Sequence, residues 1–166
     1  SMKLLQKLDT LLNKAEGGLL VFLLAVMIVL AFAQVVLRNA FSSGILWADI
    51  LLRHLVLWIG FLGAALAVSH DRHISIDALT RFLPERVKHG VNVLSYLFAA
   101  FISFLFFRAA LTFIKNEILD GSTVYAEIPS WYAAIIIPVG FGLLVVHFLI
   151  RAVLKARTAL KGGEAQ

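Results

Sequence analysis

Four apolar stretches in this chain are each long enough to cross a bilayer as a helix, a task that takes ~20 residues. They run over residues 18–37, 45–68, 91–114 and 130–150. A fold must immerse all four in a membrane or bury them against one another. The first and third connections are short, which leaves little room for a further domain on that side. The expected fold is an all-α integral membrane protein with four transmembrane helices plus amphipathic interfacial helices. A charged fraction of 15% and a hydrophobic fraction of 61% exclude an ordinary soluble domain and a disordered chain. Cysteine is absent, so disulfides, thiolate metal sites and iron–sulfur clusters are excluded too. Ser1 ahead of Met2 reads as a residue left by tag removal, so the native chain is expected to begin at Met2. Ala31-Phe32-Ala33 resembles a signal-peptidase site. The apolar run continues past it through Leu37, so no cleavage is expected there.

Charge sets the expected orientation. Lys3, Lys7 and Lys14 precede the first span, and only Arg38 separates the first two. The middle connection holds Arg72, Arg81, Arg86 and Lys88, and the next holds only Lys115. Arg151, Lys155, Arg157 and Lys161 follow the fourth span. Lys and Arg favour the cytoplasmic side of short loops, so both termini and the middle connection are expected in the cytoplasm. The net charge of +5 thus reports orientation and implies no nucleic-acid partner.

Two segments outside the spans are amphipathic. Leu4, Leu5, Leu8, Leu11 and Leu12 share a helical face, while Lys3, Lys7, Asp9, Asn13 and Lys14 lie elsewhere. Residues 2–16 are expected as an interfacial helix in the cytoplasmic headgroup layer, with Gly17-Gly18 turning the chain into the membrane. Ile76, Leu79, Phe82 and Leu83 form a shorter stripe, predicting an interfacial helix over 75–83 that ends at Pro84. Residues 17–154 form the four-helix domain, and 155–166 a cytoplasmic tail.

Charges inside a membrane cost ~2.5–3.5 kcal/mol each on insertion scales, so each needs a reason. Asp49 and Arg53 lie one helical turn apart, which predicts an ion pair on one face. Such a pair either meets another protein or merely permits insertion, and the spacing leaves both open. Gln34, Arg38, Asp49, Arg53, His54 and Arg108 are all expected in the outer half of the membrane. Three arginines then face one carboxylate, and the excess can be met by a partner's acids, by lipid phosphates or by snorkelling. His54 and His147 are offset by ~12 Å in depth, too far for one haem iron. His70, His73 and Asp77 have loosely metal-like spacing, though solvated surface residues give the same pattern.

Small residues repeat at four on the second span, as Gly60/Ala64 and Gly63/Ala67, and on the third, as Ser95, Ala99 and Ser103. Faces of this kind let helices approach closely, within the chain or against a partner. Trp47, Trp131 and Tyr132 are candidate interfacial anchors, and Trp58 lies deep enough to pack instead. No nucleophile with a base, mid-membrane carboxylate pair or phosphate loop is present, so no enzyme activity is expected. Midplane ionisable groups and broken helices, the marks of a self-contained transporter, are missing apart from Pro138-Val139-Gly140.

The second span and its exit read Trp47-Ala48-Asp49-Ile50-Leu51-Leu52-Arg53, Trp58-Ile59-Gly60-Phe61-Leu62-Gly63-Ala64-Ala65, His73-Ile74-Ser75-Ile76-Asp77-Ala78-Leu79 and Leu83-Pro84. A second block reads Glu127-Ile128-Pro129-Ser130-Trp131 and then Ile137-Pro138-Val139-Gly140-Phe141. Together they resemble the small membrane subunit of the tripartite ATP-independent periplasmic (TRAP) transporters, over roughly Arg38 to Arg151. The chain departs from that pattern at Asp49-Ile50, where many members carry two acids.

The resemblance implies a division of labour. A large membrane subunit carries solute and sodium and moves as an elevator. A periplasmic binding protein captures the solute, commonly an organic acid such as a C4-dicarboxylate or sialic acid. The small subunit braces the large one in the bacterial inner membrane and helps dock the binding protein. It needs no cofactor of its own, since the sodium sites belong to the large subunit. On this reading the subunit interface draws on Trp47, Asp49, Arg53, Trp58, Gly60, Gly63, Ala64 and Arg108. The binding protein is met by Arg38, Ser43, Lys115, Glu117, Asp120 and Glu127, on loops 39–46 and 115–130. A small self-assembling transporter and a membrane anchor for a redox complex stand as the alternatives.

Overall fold

The computed structural model describes residues 2–70 and 84–162. The expected interfacial helix over 75–83, with Ile76, Leu79 and Phe82, lies outside the described residues, as do His73 and Asp77. Four long helices carry the fold: α1 (Met2–Phe41), α2 (Leu46–Ser69), α3 (Glu85–Asp120) and, after a short hairpin, α5 (Ile136–Gly162). The hairpin is β1 (Thr123–Tyr125) paired antiparallel with β2 (Ile128–Pro129), and the short helix α4 (Ser130–Ala134) follows it. All four long helices are apolar and long enough to cross a membrane. Each overlaps one of the four apolar stretches, the fourth being divided between α4 and α5, and three run well past their stretch at one end or both.

The main difference from expectation is in α1, which passes through Gly17 and Gly18 without a break. Two glycines cost a helix only ~1 kcal/mol each. Opening the backbone there would expose unpaired peptide groups to an apolar surrounding at a larger cost. Nothing lies within 4 Å of a Cβ built at either glycine, so no close neighbour forces a turn. The interfacial segment and the first span are therefore one helix.

The helices pack as a row rather than a square. The most extensive contact joins α3 to α5, α2 packs on both α5 and α1, and α1 touches α5 only lightly. The tightest core lies where α2, α3 and α5 meet: Val68, Ala100 and Phe148 are buried there, with Tyr96, Ala99 and Leu144 packed around them. Ser103 is buried too, so the small-residue seam of α3 is used inside the chain. Closer to the hairpin, Gly140 lets α5 approach Phe61 of α2. A Cβ at that position would fall 2.8 Å from the Phe61 Cβ, inside contact distance. Phe141 then meets Phe61 edge-on and stacks on Phe106, each at 5.2 Å between ring centroids.

At the hairpin end, α3 extends to Asp120 and stops at Gly121, whose φ of 63° suits a residue without a side chain. Residues 115–120, expected as loop, are thus the last turns of a helix. Pro138 lacks an N–H, and the chain breaks from α4 to α5 three residues before it, at Ile135. Trp58 donates its indole N–H to the carbonyl of Ala133 beside that break, at 3.0 Å. Its depth in the apolar stretch is explained by this bond.

Candidate functional site: polar clamps at both ends and an open face

The polar residues of the bundle gather at its two ends. At the hairpin end, Gln34 on α1 is buried, and its amide holds Ile45 by both backbone groups. The Ile45 N–H donates to Gln34 Oε1 at 2.9 Å, and Gln34 Nε2 donates to the Ile45 carbonyl at 2.9 Å. The same Nε2 reaches Asp49 Oδ1 at 3.0 Å, and Arg38 pairs with Asp49 Oδ2. Ile45 is the N-cap residue of α2, where unpaired N–H groups are expected. This clamp therefore closes the α1–α2 loop and satisfies a helix start in one arrangement.

The expected Asp49–Arg53 pair does not form. Both oxygens of Asp49 are taken from α1, by Gln34 and Arg38. Spacing within one helix pointed to Arg53, but the loop closure brings Arg38 closer. His54 is also self-contained, with Nδ1 2.7 Å from the Ile50 carbonyl. Since a carbonyl only accepts, that nitrogen carries the proton.

A second clamp lies at the end that carries the termini, and sequence reasoning did not assemble it. Asp9, Asn13 and Glu16 follow one stripe of α1, at intervals of four and three. That stripe turns inward. The Glu16 carboxylate meets Nε2 of the fully buried His147 at 2.9 Å. Asp9 Oδ1 stands 3.6 Å from the other ring nitrogen, and Asp9 Oδ2 accepts from Arg151 Nη2 at 2.9 Å. Arg151 also donates to the Ser69 carbonyl at the end of α2. One arginine thus ties three helices together. His147 takes Glu16 as its partner. The signal was present in the sequence: acids repeat along one face of α1, and His147 and Arg151 lie one turn apart on α5. The leucine stripe assigns one face of the helix, and nothing local in the sequence assigns a neighbour to the other.

The two clamps are about 25 residues apart along α1, or ~37 Å, close to one bilayer including its headgroup regions. With the polar stripe turned inward, Leu4, Leu8 and Leu11 face away from the bundle and are exposed, while Leu12 is half-buried. Leu5 lies on the same helix.

The remaining expected interface residues divide. Trp58 is engaged with Ala133, and Gly63 is half-buried. Trp47, Arg53, Gly60, Ala64 and Arg108 are exposed. Neither Arg53 nor Arg108 has a carboxylate partner among the described residues. At the hairpin end, Ser130 donates to Glu117, while Ser43, Lys115, Asp120 and Glu127 are exposed. Trp47, Trp58 and Tyr132 also line an apolar cavity of about 440 Å³ under the hairpin. Among the described residues, no group of three or more His, Cys, Asp or Glu side chains is placed to hold a metal ion.

Comparison with known proteins gives a consistent family. The model of the DctQ component of tripartite ATP-independent periplasmic transporters matches residues 27–158. A putative TRAP transporter small permease protein of Haemophilus influenzae is 40% identical over 49% of this chain and 50% of its own length. The match thus spans half of that relative. The C4-dicarboxylate TRAP transporter small permease protein of Pseudomonas aeruginosa is 27% identical over 89% of this chain and 86% of its own. A sialic acid TRAP transporter permease protein of Haemophilus influenzae is 31% identical over 63% of this chain but only 16% of its own length.

Proposed function

Because this chain belongs to the DctQ-component family of tripartite ATP-independent periplasmic transporters, we propose that it braces the large membrane subunit of a sodium-coupled organic-acid uptake system. The family is a transporter component, so the chain is not an enzyme. The observation that carries the bracing role is the pair of clamps. Asp9, Glu16, His147 and Arg151 at one end, and Gln34, Arg38 and Asp49 at the other, are spent on holding helices together. A frame pinned at both membrane surfaces resists the bilayer strain produced when a neighbouring domain slides. The solute and sodium sites then belong to the large subunit, and capture of the solute to a periplasmic binding protein.

Relatives are named for C4-dicarboxylate, sialic acid and ectoine. The first two are organic acids, and we extend that class to this system. The bacterial inner membrane is the site, with both termini in the cytoplasm. The exposed Leu4, Leu8 and Leu11 then lie at the level of the cytoplasmic headgroups. Ser43, Lys115, Asp120 and Glu127 are the outward groups of the periplasmic rim, where the binding protein docks.

The test is reconstitution. Liposomes holding this chain with the large subunit, given the binding protein and a sodium gradient, should accumulate a C4-dicarboxylate or sialic acid. Omitting this chain should lower uptake by about tenfold or more. Uptake by the chain alone, or undiminished uptake without it, would show that the bracing role is wrong.

A further inference from the structure

Among the described residues, Arg53 has no counter-ion. It lies seven residues into α2, ~10 Å along the helix from its start and within an apolar run. The carboxylate one turn away, Asp49, has both oxygens occupied by Gln34 and Arg38. Arg53 also points away from its own bundle. The buried residues of α2, such as Ala48, Leu55 and Leu62, lie on the opposite side of the helix.

The surface around Arg53 is concave. Arg53, Val56, Leu57, Gly60 and Phe61 line a groove of about 360 Å³. Gly60 forms its floor, with nothing within 4 Å of a Cβ built there. A charge at this depth is costly, and no carboxylate among the described residues compensates it, which favours a partner from outside the chain. A lipid phosphate would draw the arginine towards the headgroups and would need no groove below it. A helix bearing an acid uses both features: the acid meets Arg53, and the helix backbone fits over Gly60.

We propose that this face of α2 receives a transmembrane helix of the large subunit and that a carboxylate on that helix pairs with Arg53. The inference rests on the subunit role argued above and adds the face and the chemistry of the contact. The Asp49 clamp gives it a direction: by consuming the near carboxylate, it leaves Arg53 to be satisfied only on assembly.

The experiment uses the co-expressed complex. A photo-crosslinking phenylalanine placed at Val56 or Ala64 should capture the large subunit, and one at the exposed Val29 of α1 should not. Arg53→Glu should lower co-purification of the large subunit by about tenfold or more, and Arg53→Lys should retain most of it. Changing one acid of the large subunit to lysine should rescue Arg53→Glu. If wild-type chain brings down no large subunit, the subunit role itself fails and this proposal with it. If the complex forms but Val56 and Ala64 capture only lipid, or Arg53→Glu assembles normally, the role stands and this face is wrong.

Discussion

Gly140 is the residue on which the middle of the bundle turns. Its backbone lies against Phe61 so closely that a methyl group would overlap the side chain. Gly142, two residues along and on the opposite side of the helix, is less constrained, with Phe107 at 3.4 Å from a built Cβ. Gly140→Ala should therefore destabilise the detergent-solubilised protein by about 1–3 kcal/mol, the usual cost of overpacking, and Gly142→Ala by less. Phe61→Leu removes the overlapping ring and should recover part of the loss, so the pair should be non-additive. Thermal unfolding of the wild type, the three single variants and the double variant checks this. A Gly140→Ala variant as stable as wild type would mean that α2 and α5 do not approach as described. The local sequence Pro138-Val139-Gly140 marked a place where a helix changes course, but nothing in it named Phe61. The need for glycine comes from a residue far away in the chain.

At the scale of helices, α1 shows what was legible and what was not. The four spans could be read from apolar length alone, but three of the helices extend well beyond them, because polar residues such as Lys7 and Lys115 continue a helix as readily as apolar ones. The Leu4/Leu8/Leu11 stripe was also legible as a face. Its opposite side was not, because a helical wheel assigns polarity but not a neighbour. Asp9, Asn13 and Glu16 face His147 and Arg151 only after α1 and α5 are brought side by side. The joint they form predicts its own energetics. Glu16→Ala or His147→Ala alone leaves a buried polar group without its partner and should cost about 3–5 kcal/mol. Replacing both by leucine should cost far less than the two single changes together, since an apolar pair of suitable size is often neutral in such places. A double-mutant cycle by thermal or denaturant unfolding reads the coupling. Additive losses would mean that the two side chains do not share one interaction.

For the whole molecule, the two clamps define which ends of the helices belong together, and charge decides which end faces the cytoplasm. The pairing of Asp9 with Arg151 brings the start of α1 and the latter part of α5 to the same end, whichever way the bundle is inserted. Three basic residues precede the first span and four follow the last, while each of the opposite connections carries one. Moving the richer end across a membrane is disfavoured, so the clamped end with the termini should lie inside. The absence of cysteine makes this directly measurable. Single cysteines at Ser43 and Ala126, both exposed at the hairpin end, should react in intact cells with a maleimide that cannot cross the inner membrane. A cysteine in place of Lys14, exposed at the other end, should react only after lysis. The reverse pattern would invert the topology. It would also place the Ser43, Lys115, Asp120 and Glu127 rim in the cytoplasm, beyond the reach of a periplasmic partner.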